Sequence, residues 1–208
     1  MFEFFQKGGI VIWVIVALSA AAVAIIIERL LYFRRIATDE EKLYSHVKLS
    51  LEKGHFDEAL AICDQNLSPF SSLLRAGIEN RAYPEQTQRE MLKEAAAQEE
   101  PELERNVSAL GTIANIAPLI GLLGTVTGTM KALGVLGRFG AVSDPSVIAT
   151  GVSEALINTV GGIIVAVLSV IFYNYLVGKV NLIMLKLESQ VTSLLAMVNS
   201  GGAGRTRS

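Results

Sequence analysis

Gly151-Val152-Ser153-Glu154-Ala155-Leu156-Ile157-Asn158-Thr159-Val160-Gly161-Gly162 decides the reading of this chain, because one carboxylate is set in an apolar run. The run covers residues 147–178, and Glu154 is its only charge until Lys179. A helix needs about 20 such residues to cross the hydrocarbon of a bilayer, so this stretch spans. A charged carboxylate there costs roughly 2.5–3.5 kcal/mol even on lenient insertion scales. Glu154 lies about two turns inside the outer end, too deep for its short side chain to snorkel out. Protonation, a partner or a water-filled cavity must compensate. Two readings follow: Glu154 is a hydrogen-bonding strut between helices, or it is an element of an ion path.

Two further spans lie upstream. Residues 107–136 form an apolar stretch whose only charge, Lys131, sits near its far end. Residues 10–31 open with an uncharged run from Ile10 to Ile27, bounded by Lys7 and by Glu28-Arg29. A cleaved signal peptide is the competing reading of that run. It fits poorly, since the run is too long and Glu28-Arg29-Leu30-Leu31 offers no small-residue cleavage site. Composition agrees with a membrane protein. Of 208 residues, 51% are apolar and 18% charged, where a soluble domain carries about 25% charged. Of the 20 acids, 15 fall between Asp39 and Glu104, which marks that segment as water-facing.

The expected fold class is therefore all-α, a polytopic membrane protein with three transmembrane helices. The second and third helices are long enough to extend into a helical cytoplasmic domain. Lys and Arg near the span ends give direction. Arg29, Arg34, Arg35, Arg105, Lys179 and Lys186 lie on one side; Lys7 and Arg138 lie on the other. This places residues 1–9 and the loop 137–146 on the outer side, and 32–106 and 179–208 in the cytoplasm.

Within 32–106, Leu43, Val47 and Leu51 share one helix face over Asp39 to Lys53, which Gly54 ends. Asp57 is expected to cap a second helix through Ile62, and Asn66-Leu67-Ser68-Pro69 to break it. A third covers about Phe70 to Asn80, and a fourth runs from Pro84 with a kink at Pro101. The tail from Gly201 reads as disordered.

Chemistry of the soluble-enzyme kind is missing from the sequence. Cys63 is the single cysteine and reads as a small buried hydrophobe. His46 and His55 are the only histidines, and no cluster has metal-ligand spacing. There is no P-loop, Gly-x-Gly-x-x-Gly or nucleophile elbow. No enzyme, cofactor, metal site or nucleic-acid partner is expected.

The polar and small residues inside the spans carry the remaining signal. Gly121, Gly124 and Gly128 put small positions along the second span, where backbones can approach closely. Pro118 is tolerated if a packed neighbour or water satisfies the carbonyl it frees. Asn158 shares the Glu154 face, four residues on. Thr159 lies about 140° round from Glu154, so one helix cannot aim both at one point. A conduit using both must lie between several helices. Thr125 and Thr159 either line such a pore or bond carbonyls of their own helix.

At these residues the sequence resembles a known family. Ile116-Ala117-Pro118-Leu119-Ile120-Gly121-Leu122-Leu123-Gly124-Thr125-Val126-x-Gly128 is similar to the second-span signature of the ExbB/TolQ/MotA proton-channel family. Gly151 to Gly162 is similar to its third-span signature, and Glu28-Arg29-Leu30 fits the end of the first. The resemblance runs the length of the chain and favours the three-span ExbB/TolQ branch over the flagellar stators.

It implies a pentamer whose second and third helices line a pore around a single-span ExbD/TolR-type partner dimer. That partner supplies the intramembrane aspartate this chain lacks. It also implies proton-driven work on a periplasmic or outer-membrane client, ExbB-like through a TonB-like protein, or TolQ-like through a TolA-like protein, or in gliding motility. By position, Thr125 and Thr159 form the hydroxyl ring and Glu154 sits towards the periplasmic mouth, with Pro118, Gly121, Gly124, Gly128 and Asn158 lining the pore or packing helices. Thr127 and Asn158 depart from the usual pattern, where Trp and a small apolar residue or Thr are common. Both make the conduit more polar and leave sodium open beside protons as the coupling ion. The implied location is the bacterial inner membrane.

Overall fold

The computed structural model describes residues 9–66, 68–139 and 145–203. Lys7, Leu67, the loop centre 140–144 and the tail 204–208 lie outside the described residues, as does the side chain of Arg138.

Every described element is a helix: α1 (Gly9–Glu52), α2 (Phe56–Gln65), α3 (Pro69–Glu79), α4 (Glu85–Gln98), α5 (Glu100–Glu104), α6 (Val107–Phe139) and α7 (Pro145–Ala203). Three are long and apolar enough to cross a membrane, over Gly9–Ile36, Val107–Gly134 and within Ile148–Val198. One expected boundary does not interrupt the helix. No Pro or Gly interrupts residues 28–52, so the first span and the Asp39 segment form one helix, α1. The third span continues into the C-terminal segment as one long helix, as expected, and Gly201–Ala203 are helical where a disordered tail was expected.

The chain divides into two units, one of residues up to Arg29 with Asn106–Leu176, the other of Leu30–Arg105 with residues from Val177 onward. In the first, the membrane unit, α6 and α7 pack antiparallel through small residues. A side chain at Gly162 would meet the Ala117 carbonyl oxygen at 2.5 Å and Gly121 Cα at 3.0 Å. One at Gly128 would meet the Gly151 carbonyl oxygen at 2.9 Å and Ala155 Cβ at 3.0 Å. Gly161, on another face of α7, receives Ile12 and Ile15 of α1 at 3.6 Å. Helix α7 thus packs against both other spans. Leu119, Leu122, Met130, Leu133, Leu156 and Ile171 point outward and are more than half exposed, as hydrocarbon-facing side chains are.

The second, charged unit has a core of ordinary soluble type. Leu43, Val47 and Leu51, the face read from the sequence, are buried with Phe70, Leu73, Leu74, Ile78, Leu92, Leu187, Val191 and Leu194. Ser68 caps α3 in a reciprocal box with Ser71, and Pro69 opens the helix. Helix α2 starts two residues earlier than expected. His55 holds the N-cap position without capping a backbone amide, its ring bonding the Glu58 carboxylate at 3.2 Å instead, and Asp57 sits in the first turn. There its charge suits the positive end of the helix dipole. Pro101 opens a separate short helix, α5, which replaces the expected kink.

Candidate ion-conducting site

The α6–α7 hairpin of the membrane unit positions all the polar groups singled out above. Its register is set by glycine. Because Gly121, Gly124 and Gly128 carry no side chain, α7 backbone and Cβ atoms lie directly on α6. An added side chain at Gly124 would overlap Asn158 Cβ, and one at Gly121 would meet the Asn158 carbonyl oxygen at 2.9 Å. Gly121, Gly124, Gly128 and Asn158 are therefore all helix-packing positions in this chain. Pro118 sits half-buried within α6.

Glu154 has a partner on the facing helix. Lys131 Nζ donates to Glu154 Oε1 at 2.9 Å. The carboxylate side is mostly buried, at 15% exposure, while the lysine side chain is 63% exposed. Lysine can pack its aliphatic stem on an apolar surface and deliver the ammonium to a chosen point. The pairing relieves the problem posed by the sequence, since a charge in a membrane-spanning segment is tolerated when paired.

A third group closes on the same carboxylate. Gly9, the first residue of α1, has φ +62°, a left-handed conformation that glycine adopts without strain. A Cβ built there would overlap Glu154 Oε1 and stand 3.1 Å from its carboxyl carbon and 3.5 Å from Lys131 Nζ. The start of the first span thus abuts the ion pair, and the partial positive charge of a helix N-terminus favours an anion there.

The hydroxyls go elsewhere. Thr159 donates across the hairpin to the Gly121 carbonyl oxygen at 3.2 Å. Thr125 donates to its own helix, at Leu122, at 2.6 Å. Thr127 does the same at Gly124, 3.1 Å, and Thr129 bonds the Thr125 carbonyl oxygen at 2.7 Å. So the bonds of Glu154, Thr125 and Thr159 end at three different places within one chain. Each hydroxyl that donates to a carbonyl keeps its oxygen available as an acceptor. Thr125 and Thr159 can therefore each accept a bond from a water or from a group on another chain without losing the one they make.

Asn158 is the polar residue with the least to hold. It is fully buried, and neither its amide nitrogen nor its oxygen has a hydrogen-bond partner among the described residues. Ser169 Oγ, three turns on along α7, is buried in the same condition. Among the described residues no three metal-ligating side chains gather.

Sequence reasoning singled out Glu154 and missed its two neighbours. Lys131 carried a usable signal. It is the one cation of the second span, near the same end of the hairpin as the one anion of the third. Gly9 carried none, because nothing in the sequence brings the first turn of α1 to Glu154.

Residues 65–189 match the model of the MotA/TolQ/ExbB proton channel family. A biopolymer transport protein ExbB homolog of Methanothermobacter thermautotrophicus is 31% identical over 187 residues, covering 86% of this chain and 63% of that protein. The biopolymer transport protein ExbB-like 3 of Synechocystis sp. is 34% identical over 173 residues, 81% of each chain. The Tol-Pal system protein TolQ of Haemophilus influenzae is 41% identical over 81 residues, 39% of this chain and 35% of that one. The chain thus spans somewhat under two thirds of the first relative and four fifths of the second.

Proposed function

The chain belongs to the MotA/TolQ/ExbB proton channel family, in its ExbB/TolQ branch, and from that premise we propose that it is the channel subunit of a proton-driven motor in the inner membrane. The observation that carries this reading is the reach of the family match: residues 65–189 hold the whole α6–α7 hairpin site, with Thr125, Lys131, Glu154 and Thr159. Several copies, five by the family resemblance, surround a single-span partner of the ExbD/TolR type, whose aspartate exchanges the proton. Thr125 and Thr159 offer acceptor oxygens to that aspartate or to intervening water. Glu154 stands towards the periplasmic mouth, with the N-terminus outside and the C-terminal segment in the cytoplasm. A proton crossing about 100 mV releases roughly 2.3 kcal/mol, which the motor turns into displacement of the partner. The relatives' names favour an ExbB-type transport client; a TolQ-type or gliding client is the alternative.

Proton flux into vesicles holding this chain and its co-expressed partner tests the reading. Thr159→Val and Thr125→Val are expected to abolish or strongly reduce flux while the complex still assembles. Intact flux in both assembled variants removes the threonines from the path. No flux from the wild-type complex leaves a non-conducting scaffold as the better description.

A further inference from the structure

The ion pair at the mouth of the hairpin bears on which cation the proposed channel accepts, and the inference rests on that proposed function. We infer that Lys131 is a tethered counter-cation that occupies the cation position of the Glu154 carboxylate and denies it to sodium. Lys131 is then a specificity-determining residue for protons over metal cations.

Two observations and the chemistry of an ammonium converge on this assignment. The ammonium lies 2.9 Å from Oε1, where a bound cation would sit. An ammonium is a compact point charge with three donors and no acceptor, so it fills such a position and offers nothing to a second cation. A second approach is closed as well, because Gly9 at the start of α1 abuts the same oxygen. A sodium ion reaching Oε1 meets both a lysine charge and the positive end of a helix.

Protons are not excluded by this arrangement. They pass along hydroxyls and waters by exchange of bonds and need no vacant carboxylate. The lysine arm is anchored on an exposed stem and reaches in to a largely buried oxygen. Removing its charge is therefore expected to expose the site without removing the carboxylate.

The test reads Glu154 directly, in membranes holding the full chain and its partner. A hydrophobic carbodiimide modifies intramembrane carboxyl groups that carry a proton, and mass spectrometry reports the adduct at Glu154. In the wild type, labelling is expected to be slight and indifferent to replacing choline chloride with sodium chloride. In Lys131→Met the carboxyl loses the ammonium that covers Oε1 and opens to the reagent. Labelling should rise, sodium should suppress it, and Lys131→Arg should restore the wild-type pattern. Gly9→Ala, which pushes the carboxylate aside while leaving both charges in the chain, should raise labelling too.

Labelling in Lys131→Met that equals the wild type, or that rises but ignores sodium, overturns the assignment. Should Lys131→Met fail to accumulate, an unchanged pattern in Gly9→Ala overturns it instead. Because labelling does not depend on flux, vesicles silent to protons with the expected labelling would sink the channel reading alone. Flux with unresponsive labelling would sink the counter-cation alone.

Discussion

The membrane unit and the charged unit are both helical, yet they are held together by opposite kinds of residue. Where α6 meets α7, the contacts are Gly121, Gly124, Gly128, Gly151, Ala155 and Gly162, and backbone atoms touch. In the charged unit the contacts are Phe70, Leu73, Leu74, Ile78, Leu92 and Leu194, all essentially inaccessible. The difference follows from the solvent. Water drives large apolar side chains together. Lipid tails are as apolar as leucine, so in the membrane helices associate through close packing and hydrogen bonds, and small residues permit it. Large apolar residues of the membrane unit are pushed to its outside, as Leu119, Met130 and Leu133 show.

Truncation and enlargement should break the two units in opposite senses. Phe70→Ala empties a position that is 1% exposed beside Tyr44. It should cost about 3–5 kcal/mol, read as a fall in the denaturation midpoint of the charged unit. In the membrane unit a gain of one methyl should do the damage. Gly162→Ala drives a Cβ onto the Ala117 carbonyl oxygen of a facing backbone that cannot step aside. A loss of about 1–3 kcal/mol is expected, seen as lower resistance to unfolding in detergent.

Smaller changes sharpen the contrast. Ser68→Ala removes the side-chain bond to the Ser71 amide at the start of α3 and should cost about 1 kcal/mol, with no effect on the hairpin. Gly77→Ala mirrors Gly162→Ala. Its Cβ would meet only flexible tips, Leu92 Cδ2 at 3.5 Å and Val198 Cγ2 at 3.6 Å. There the added methyl should stabilise by about 0.4–1 kcal/mol, because alanine has less freedom to lose on folding. The same substitution therefore has opposite signs in the two units.

The last contrast is set by pH. Burial pushes the Cys63 thiol up from 9.0 to about 11. The folded charged unit thus favours the neutral thiol. Its contribution is complete below about pH 9 and is lost as pH rises through 11. Denaturation midpoints of the wild type should fall across that window more steeply than those of Cys63→Ala.

Much of this was legible in the sequence because it is local. Span length, the isolated Glu154 and the Leu43, Val47, Leu51 face each depend on residues a few positions apart. The small-residue character of the second span was legible as well. What it packs against was not, since an antiparallel register is settled only when two distant segments meet. That is why the partner of Glu154 stayed hidden although Lys131 was in view. The continuity of α1 beyond Arg29 was readable in principle, as residues 28–52 contain neither Pro nor Gly. The change from apolar to charged composition suggested a boundary, but a helix backbone is indifferent to which solvent its side chains meet.

Cys63 has one more consequence, and it is a practical one. The chain's single thiol is 4% exposed and far from its reactive form at neutral pH. The native protein is therefore nearly silent to maleimides and needs no cysteine-free background. A cysteine placed at Leu49 or Tyr83 of the charged unit, both about half exposed to water, would be the only addressable handle on the molecule. Dyes, spin labels or crosslinkers attached there would report on neighbouring helices while the native thiol stays where it is.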